Sequence, residues 1–274
     1  MPYGVIIIPS FFVAVCLIVS GSNINRKLKL TQYSYTNKKL PASFDGYKIL
    51  HISDLHGLFF GGNQSEIHSL IKKNRPDMIV LTGDIIDKDN RDIGAVKALV
   101  SNTGKIAPIY FVAGNHELHG KASFMYKQLL ILFERHGVHV LHDKCVPVRG
   151  RTGNDRIYLY GCPYQKHVNI AHAPDTEAFN ILLFHDSTQF DKIADAGFDM
   201  VFSGHSHGGI IRLPLIGGLI GNDQKLLPAY DGGMFPKGGC TLVSSRGLGG
   251  SILPRINNPP EIILLTLRSG TSTL

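Results

Sequence analysis

The sequence predicts an α/β protein whose helices cover its sheets, on two observations. Short β-rich apolar runs alternate with stretches of helical periodicity, and the chain is long enough to bury a substantial single-domain core. With 274 residues, 43% hydrophobic and 18% charged, Gly 30, Pro 14 and no Trp, the composition excludes a disordered chain, a collagen-like repeat and a disulfide-stapled miniprotein. In chain order, residues 47–52, 78–81, 109–112, 157–160, 181–184, 200–202 and 241–243 read as buried strands. Residues 63–74, 93–100, 123–136 and 187–196 read as helices. Pro and Gly cluster between residues 213 and 239, which predicts a long surface excursion with little regular structure. There is no internal repeat.

Ahead of this body, residues 4–21 read GVIIIPSFFVAVCLIVSG, an uncharged apolar run close to the roughly 20 residues a helix needs to cross a bilayer core. Pro9 is compatible with a spanning helix because it falls near an end. A cleaved signal peptide would carry a basic start that is missing here, and the bulky Val15 before Cys16 is wrong for lipidation. The expected organisation is therefore one N-terminal transmembrane helix in residues 1–25, a basic linker over 26–43 and the folded domain over 44–274. Of the formal net charge of +7, residues 26–48 carry six basic side chains against Asp45, which leaves 22 basic and 20 acidic for the rest. That concentration beside an apolar segment fits anionic lipid headgroups; a nucleic-acid partner, which would need basic residues spread over the body, is not expected. The four cysteines, Cys16, Cys145, Cys162 and Cys240, form no CxxC pattern and read as small buried hydrophobes.

Five polar clusters each follow directly on a predicted strand. They are Asp54 and His56 in SDLHG, Asp84 in TGDIID, Asn115 and His116 in GNHE, His185 in LLFHD, and His205 and His207 in SGHSHGG. In an α/β fold the carboxyl ends of strands converge on one edge of a sheet, so five distant segments can build one site. Carboxylate, imidazole and amide oxygen together suit a divalent ion such as Mn, Fe or Zn, whereas calcium would take oxygen only and a structural zinc would favour thiolate. The i, i+2 pairs Asp54/His56 and His205/His207 would project to one side from extended backbone. Each motif alone has a bland reading as a turn or cap, but the ordered set at successive strand ends does not.

On these residues the chain resembles the calcineurin-like metallophosphoesterase superfamily, whose blocks D-x-H, G-D, G-N-H-E/D, H and G-H-x-H occur here in that order between about residues 44 and 267. SDLH, GHSHGGIIRLP and the ending SRGLGGSILPRINNPPEIILLTL are similar to the bacterial membrane-associated branch related to the YkuE and YaeI phosphodiesterases. The resemblance implies a four-layer α-β-β-α sandwich and a centre of two divalent metal ions. It implies Asp54, His56 and His207 as ligands of the first metal, Asn115, His185 and His205 of the second, Asp84 as the bridge and His116 as the catalytic histidine, with Asn115 also reaching substrate. Asp87 and Glu117 are expected to orient a ligand or a loop, His119 to line the site, and Arg212 and Arg246 either to bind an acidic substrate group or to form structural ion pairs.

Two such ions make a water nucleophilic near neutral pH and neutralise phosphoryl charge, which implies hydrolysis of a phosphodiester, a phosphomonoester or a pyrophosphate. The basic neck and the apolar LPLIGGLIG stretch suit a lipid-linked or envelope substrate and a membrane partner, with a UDP-acyl-sugar pyrophosphohydrolase as the alternative enzyme. A metal-binding scaffold is the non-enzymatic alternative, and the intact ligand set with His116 argues against it. The positive-inside rule would hold the body in the cytoplasm, but relatives in this branch commonly face outward, and an extracytoplasmic body is the expectation.

Overall fold

A computed structural model describes residues 27–87, 89, 92–119, 122–170, 173–209, 211–213, 217–221, 226–249 and 255–270. The segment expected to be a transmembrane helix lies outside the described residues, among which no helix is long and apolar enough to cross a membrane.

Two six-stranded mixed sheets pack face to face. The first contains β1 (Lys29–Asn37), β2 (Lys48–Ile52), β3 (Met78–Leu81), β4 (Ile109–Phe111), β5 (His139–Val140) and β14 (Glu261–Ser269), in the order β1-β14-β2-β3-β4-β5. The second contains β6 (Lys144–Arg149), β7 (Arg156–Cys162), β8 (Asn180–Asp186), β9 (Met200–Gly204), β12 (Gly233–Lys237) and β13 (Cys240–Ser244), in the order β12-β13-β9-β8-β7-β6. Strands β2 to β5 run parallel, as do β7, β8, β9 and β13. The period of two along each strand sorts the apolar side chains between layers. Ile49, Met78, Val80 and Tyr110 face the core between the sheets, with Ile181, Leu183, Met200 and Phe202 opposite. Their neighbours Leu50, Ile52, Ile79, Leu81, Ile109 and Phe111 face the outer side, which α1 (Ser65–Asn74), α2 (Gly94–Thr103) and α4 (Ala122–Arg135) cover with Ile67, Ile71, Leu99, Leu129 and Phe133. Between α2 and α4 lies α3 (Asn115–Leu118), a single turn. On the far side of the second sheet, Leu182, Phe184 and Val201 pack under Phe190 and Ile193 of α5 (Phe190–Ile193).

Three expectations change. Residues 29–37, expected as part of a linker, form β1, paired in parallel with β14 from Lys29↔Glu261 to Asn37↔Ser269. Its polar composition conceals a strand because only Leu30, Tyr33 and Tyr35 meet apolar neighbours, as an edge strand allows. The helix expected over 187–196 is a 3-10 turn, Ser187–Gln189, followed by the four residues of α5, so the outermost layer is thin. The excursion over 213–239 carries β11 (Gly217–Ile220), which forms a hairpin with β10 (Ile211–Leu213), and then returns as β12.

Candidate metal centre

The fold delivers all the expected ligands to one edge. Asp54 and His56 follow β2, Asp84 follows β3, Asn115 and His116 open α3 just beyond β4, His185 is the penultimate residue of β8, and His205 and His207 follow β9. Ligand atoms of Asp54, His56 and His207 come within 4.8 Å of one another, as do those of Asp84, His185 and His205; His56, Asp87 and His116 form a third, overlapping triplet. Asp84 Oδ2 joins the groups. It lies 3.2 Å from His185 Nε2, 3.8 Å from His116 Nε2 and 3.9 Å from His56 Nε2. Asn115 Oδ1 stands 3.1 Å from His185 Nε2. Both ring nitrogens of buried His56 are without a hydrogen-bond partner. Two orphaned imidazole nitrogens facing carboxylates are what a cation site leaves when only protein atoms are considered, so the donor set fits a pair of divalent ions.

The backbone differs from the extended form expected of the i, i+2 pairs. Asp54, His56, Asp84, His205 and His207 all adopt positive φ, between 48° and 71°. Such conformations cost free energy in non-glycine residues and persist only where surrounding contacts over-determine them. Those contacts are present: the Asp54 and His56 amides donate to the carbonyls of Gly83 and Asp84, and the His205 amide donates to the Asp54 carboxylate. Crowding is extreme at Gly204, where an added Cβ would stand 1.9 Å from Ser53 Oγ and 2.3 Å from Asp54 Oδ2.

Glu117 organises the loops. Fully buried, it accepts backbone N–H groups from Asp84, Ile85, Ile86 and Gly114 at 2.7 to 3.1 Å, which ties the loop after β3 to the loop after β4. This is the orienting role expected of it. Asp87 Oδ2 stands 3.8 Å from His56 Nδ1, in keeping with its expected role.

The charges favour cation capture. Burial raises the Asp84 carboxyl, but His185, His56 and His116 outweigh it and hold Asp84 well below the usual carboxylate range. Burial likewise works to lower His185, yet the Asp84 carboxylate and the hydrogen bond from Nδ1–H to the Thr82 carbonyl (2.7 Å) raise it above the ordinary histidine value. Without a cation, then, a protonated His185 neutralises Asp84. His56, pushed down to about 4 by burial, and His207, also lowered by burial, are neutral and ready to act as ligands. The Thr82 contact fixes the Nδ1–H tautomer and leaves Nε2 to coordinate. Metal binding should therefore expel the His185 proton, about one per chain near pH 7, and affinity should rise with pH because the bound state holds fewer protons. Calorimetry in buffers of different ionisation enthalpy measures this; uptake without proton release would contradict the assignment of His185.

The two arginines have protein partners. Arg212 is 2.8 Å from Asp231 Oδ2 and donates to the Gly208 and Asp231 carbonyls; Arg246 is paired with buried Glu261. Of the two roles open to them, the structure places both in ion pairs. Three neighbours of the centre were not singled out from the sequence, although Arg255 and Asn258 lie in the family-like ending of residues 245–267. Arg255, buried, donates to the Gly247 and Gly249 carbonyls and approaches His207 Nδ1 to 3.5 Å. Asn258 donates to the carbonyls of His207 and Gly209, and the Tyr164 ring stands 5.9 Å from that of His205 and 6.2 Å from that of His185. Exposed His119 meets Tyr164 edge-on at 5.7 Å, as expected of a residue lining the site. His51, by contrast, is a core residue held by Thr82 Oγ1 at 2.7 Å.

This geometry agrees with what the chain is similar to. The metallophosphoesterase YkuE of Bacillus subtilis is 29% identical over 255 residues, spanning 88% of this chain and 86% of that protein. The phosphodiesterase YaeI of Escherichia coli is 27% identical over 232 residues, 81% of this chain and 82% of that protein. The UDP-2,3-diacylglucosamine pyrophosphatase LpxG of Chlamydia muridarum is 26% identical over 296 aligned positions, 87% of this chain and 88% of that protein. The model of the calcineurin-like phosphoesterase family matches residues 47–209, a stretch that begins at β2 and ends just beyond His207 and so takes in all five ligand clusters. With more than half its length under that match, the chain belongs to the calcineurin-like phosphoesterase family.

Proposed function

We propose that the protein is a dinuclear-metal phosphoesterase that hydrolyses phosphodiester bonds. The observation that carries this reading is Asp84, which shares one triplet of ligand atoms with His185 and His205 while its Oδ2 lies 3.9 Å from His56 Nε2 of the other. Bound there, two divalent cations such as Mn, Fe or Zn would supply an activated water and neutralise charge on the phosphoryl oxygens.

The chain's own residues do the rest. Asp54, His56 and His207 would hold one ion, Asn115, His185 and His205 the other, and Asp84 both. His116 is positioned as proton donor: its backbone N–H donates to Asp84 Oδ1 at 2.8 Å, and its ring lies edge-on to His56 at 4.5 Å. It is half-buried, as is His205, whereas His56, His185 and His207 are buried, so His116 stands on the accessible side of the centre, where it can meet a leaving oxygen. Asn115, half-buried beside His185, is a further group that could contact a phosphoryl oxygen, whereas Arg212 and Arg246 are engaged in ion pairs. The similarity to LpxG favours a second reading within the same chemistry, cleavage of a phosphoanhydride in a lipid-linked sugar nucleotide.

The test is metal content together with hydrolysis of bis-aryl phosphate, mono-aryl phosphate and a nucleoside diphosphate sugar by the purified full chain, with and without manganese. Two equivalents of metal and metal-dependent diesterase activity are expected. His116→Ala should keep the metals while turnover falls roughly 100- to 10,000-fold, as for other general acids. A chain that takes up no stoichiometric metal would sink the proposal.

A further inference from the structure

The end of the molecule that carries the metal centre is also its apolar end. Among the described residues seven large hydrophobic side chains are exposed: Leu58, Phe59, Ile106, Phe124, Ile131, Leu226 and Leu227. Five of them surround the strand ends that supply the ligands. Leu58 and Phe59 (52% exposed) follow His56 in the same loop. Phe124 (64%) lies in the first turn of α4, just beyond α3 and His116. Leu226 (78%) and Leu227 (64%) sit on the excursion that leaves β9 after His207. That excursion is packed against the ligand loop, because the Ile220 carbonyl would lie 2.7 Å from a Cβ on Gly209, and Ile220 is bridged to Leu226.

Strand direction adds a second, independent observation. β14 is antiparallel to β2 and β1 is parallel to β14, so β1 begins at the end of the sheet where β2 finishes and Asp54 projects. The Lys29 amide donates to the Pro260 carbonyl at 2.8 Å, in the same loop whose Arg255 and Asn258 buttress His207. The uncharged apolar run of residues 4–21 is therefore joined to the body beside the metal centre, through exposed Lys27 and Lys29.

We propose that this rim is a bilayer-docking surface, with Phe59, Phe124, Leu226 and Leu227 seated in the interfacial region and the metal centre held against the membrane. Apolar side chains flanked by lysines suit the boundary between headgroups and acyl chains. The substrate part of this inference rests on the phosphoesterase reading: the substrate is a phosphoester carried by a lipid that stays in the bilayer.

The absence of tryptophan makes the surface directly readable. Single substitutions Phe59→Trp and Leu227→Trp, with Ile106→Trp and Ile131→Trp as controls, are made in the full chain and reconstituted into vesicles of phosphatidylcholine and phosphatidylglycerol. Ile106 precedes β4, at the opposite end from the ligands, and Ile131 lies near the far end of α4. Lipids brominated on their acyl chains should reduce emission at Phe59→Trp and Leu227→Trp by about twofold or more and leave the controls unchanged, because quenching requires contact with the acyl region. Equal quenching at all four positions, or none at the rim, would overturn the proposal. So would rim emission that bromine leaves untouched but that shifts with protein concentration, the sign of a second copy covering the surface. Quenching does not depend on turnover, so a docked chain that hydrolyses nothing would count against the phosphoesterase reading alone, and an active chain with an unquenched rim against the docking surface alone.

Discussion

Asp84→Asn is expected to lower turnover by about a thousandfold or more, equivalent to about 4 kcal/mol of transition-state stabilisation, and to reduce the metal bound per chain. The substitution is a sharp one because it leaves the local structure with everything except the charge. Asp84 has a φ of 51°, a left-handed conformation that asparagine tolerates at least as well as aspartate and that alanine would resist. The remaining amide oxygen can still accept the His116 N–H, as Oδ1 does at 2.8 Å. What disappears is the anionic oxygen at 3.2 Å from His185 Nε2 and 3.9 Å from His56 Nε2, which puts one carboxylate oxygen near imidazoles of both ligand triplets. Neutral amides are poor bridges between cations, so at most one site should fill well. A second readout separates this from a folding defect. With Asp84 neutral, the largest influence raising His185 is gone and its pKa falls, although Asp54 and the Thr82 carbonyl still raise it, so the proton release on metal binding should be smaller in the variant than in the parent chain. An Asp84→Asn protein that binds two metals and turns over normally would show that Asp84 does not bridge.

How much of this was legible in the sequence depends on whether a feature lives in residue type or in partner choice. β3 was legible to the residue because Met78–Leu81 is apolar on both faces and bounded by polar residues, and the flanking Thr82-Gly83-Asp84 announced the strand end. β8 and β9 were legible for the same reason, and with them the positions of His185, His205 and His207. β1 was not, since Lys29, Thr31 and Gln32 look like linker residues until β14 is there to pair with them. The helix expected over 187–196 has Phe190, Ile193 and Ala194 at helical spacing, but Asp186 accepts the Thr188 N–H and starts a 3-10 turn, and Gly197 at a φ of 89° closes the segment. The ligand types could be read from sequence; the left-handed backbone that presents them could not, because it is imposed by hydrogen bonds between loops from different strands. Arg255 and Tyr164 belong to the same class: neither has a ligand's spacing, and each matters only through the histidine beside it.

Glu117→Gln should be the most damaging change outside the ligands and His116. In the parent chain one carboxylate oxygen accepts from Ile85 and Ile86 and the other from Asp84 and Gly114, so four buried donors converge on one side chain. Glutamine keeps the size but presents an NH2 group where one of those oxygens stood, which sets a donor against two buried N–H groups. Leaving two such groups unsatisfied costs about 2 to 6 kcal/mol, a large part of the stability of a domain this size. Whichever oxygen is replaced, two donors next to the centre lose their acceptor: either the Asp84 and Gly114 amides that place the bridging residue against α3, or the Ile85 and Ile86 amides that hold the turn after it. Metal affinity should accordingly fall about 10- to 100-fold, as for other groups that support ligands. Urea unfolding of the metal-free variant against the metal-free parent isolates the stability loss. Titration with manganese then tests the coupling, because binding stabilises the folded chain by mass action and enough metal should recover part of the lost midpoint. If the variant unfolds at the parent's midpoint and binds metal as tightly, the four hydrogen bonds do not hold the loops, and the left-handed turns at Asp84 and its neighbours are maintained by the remaining contacts, among them the Asp54 and His56 amides on the Gly83 and Asp84 carbonyls.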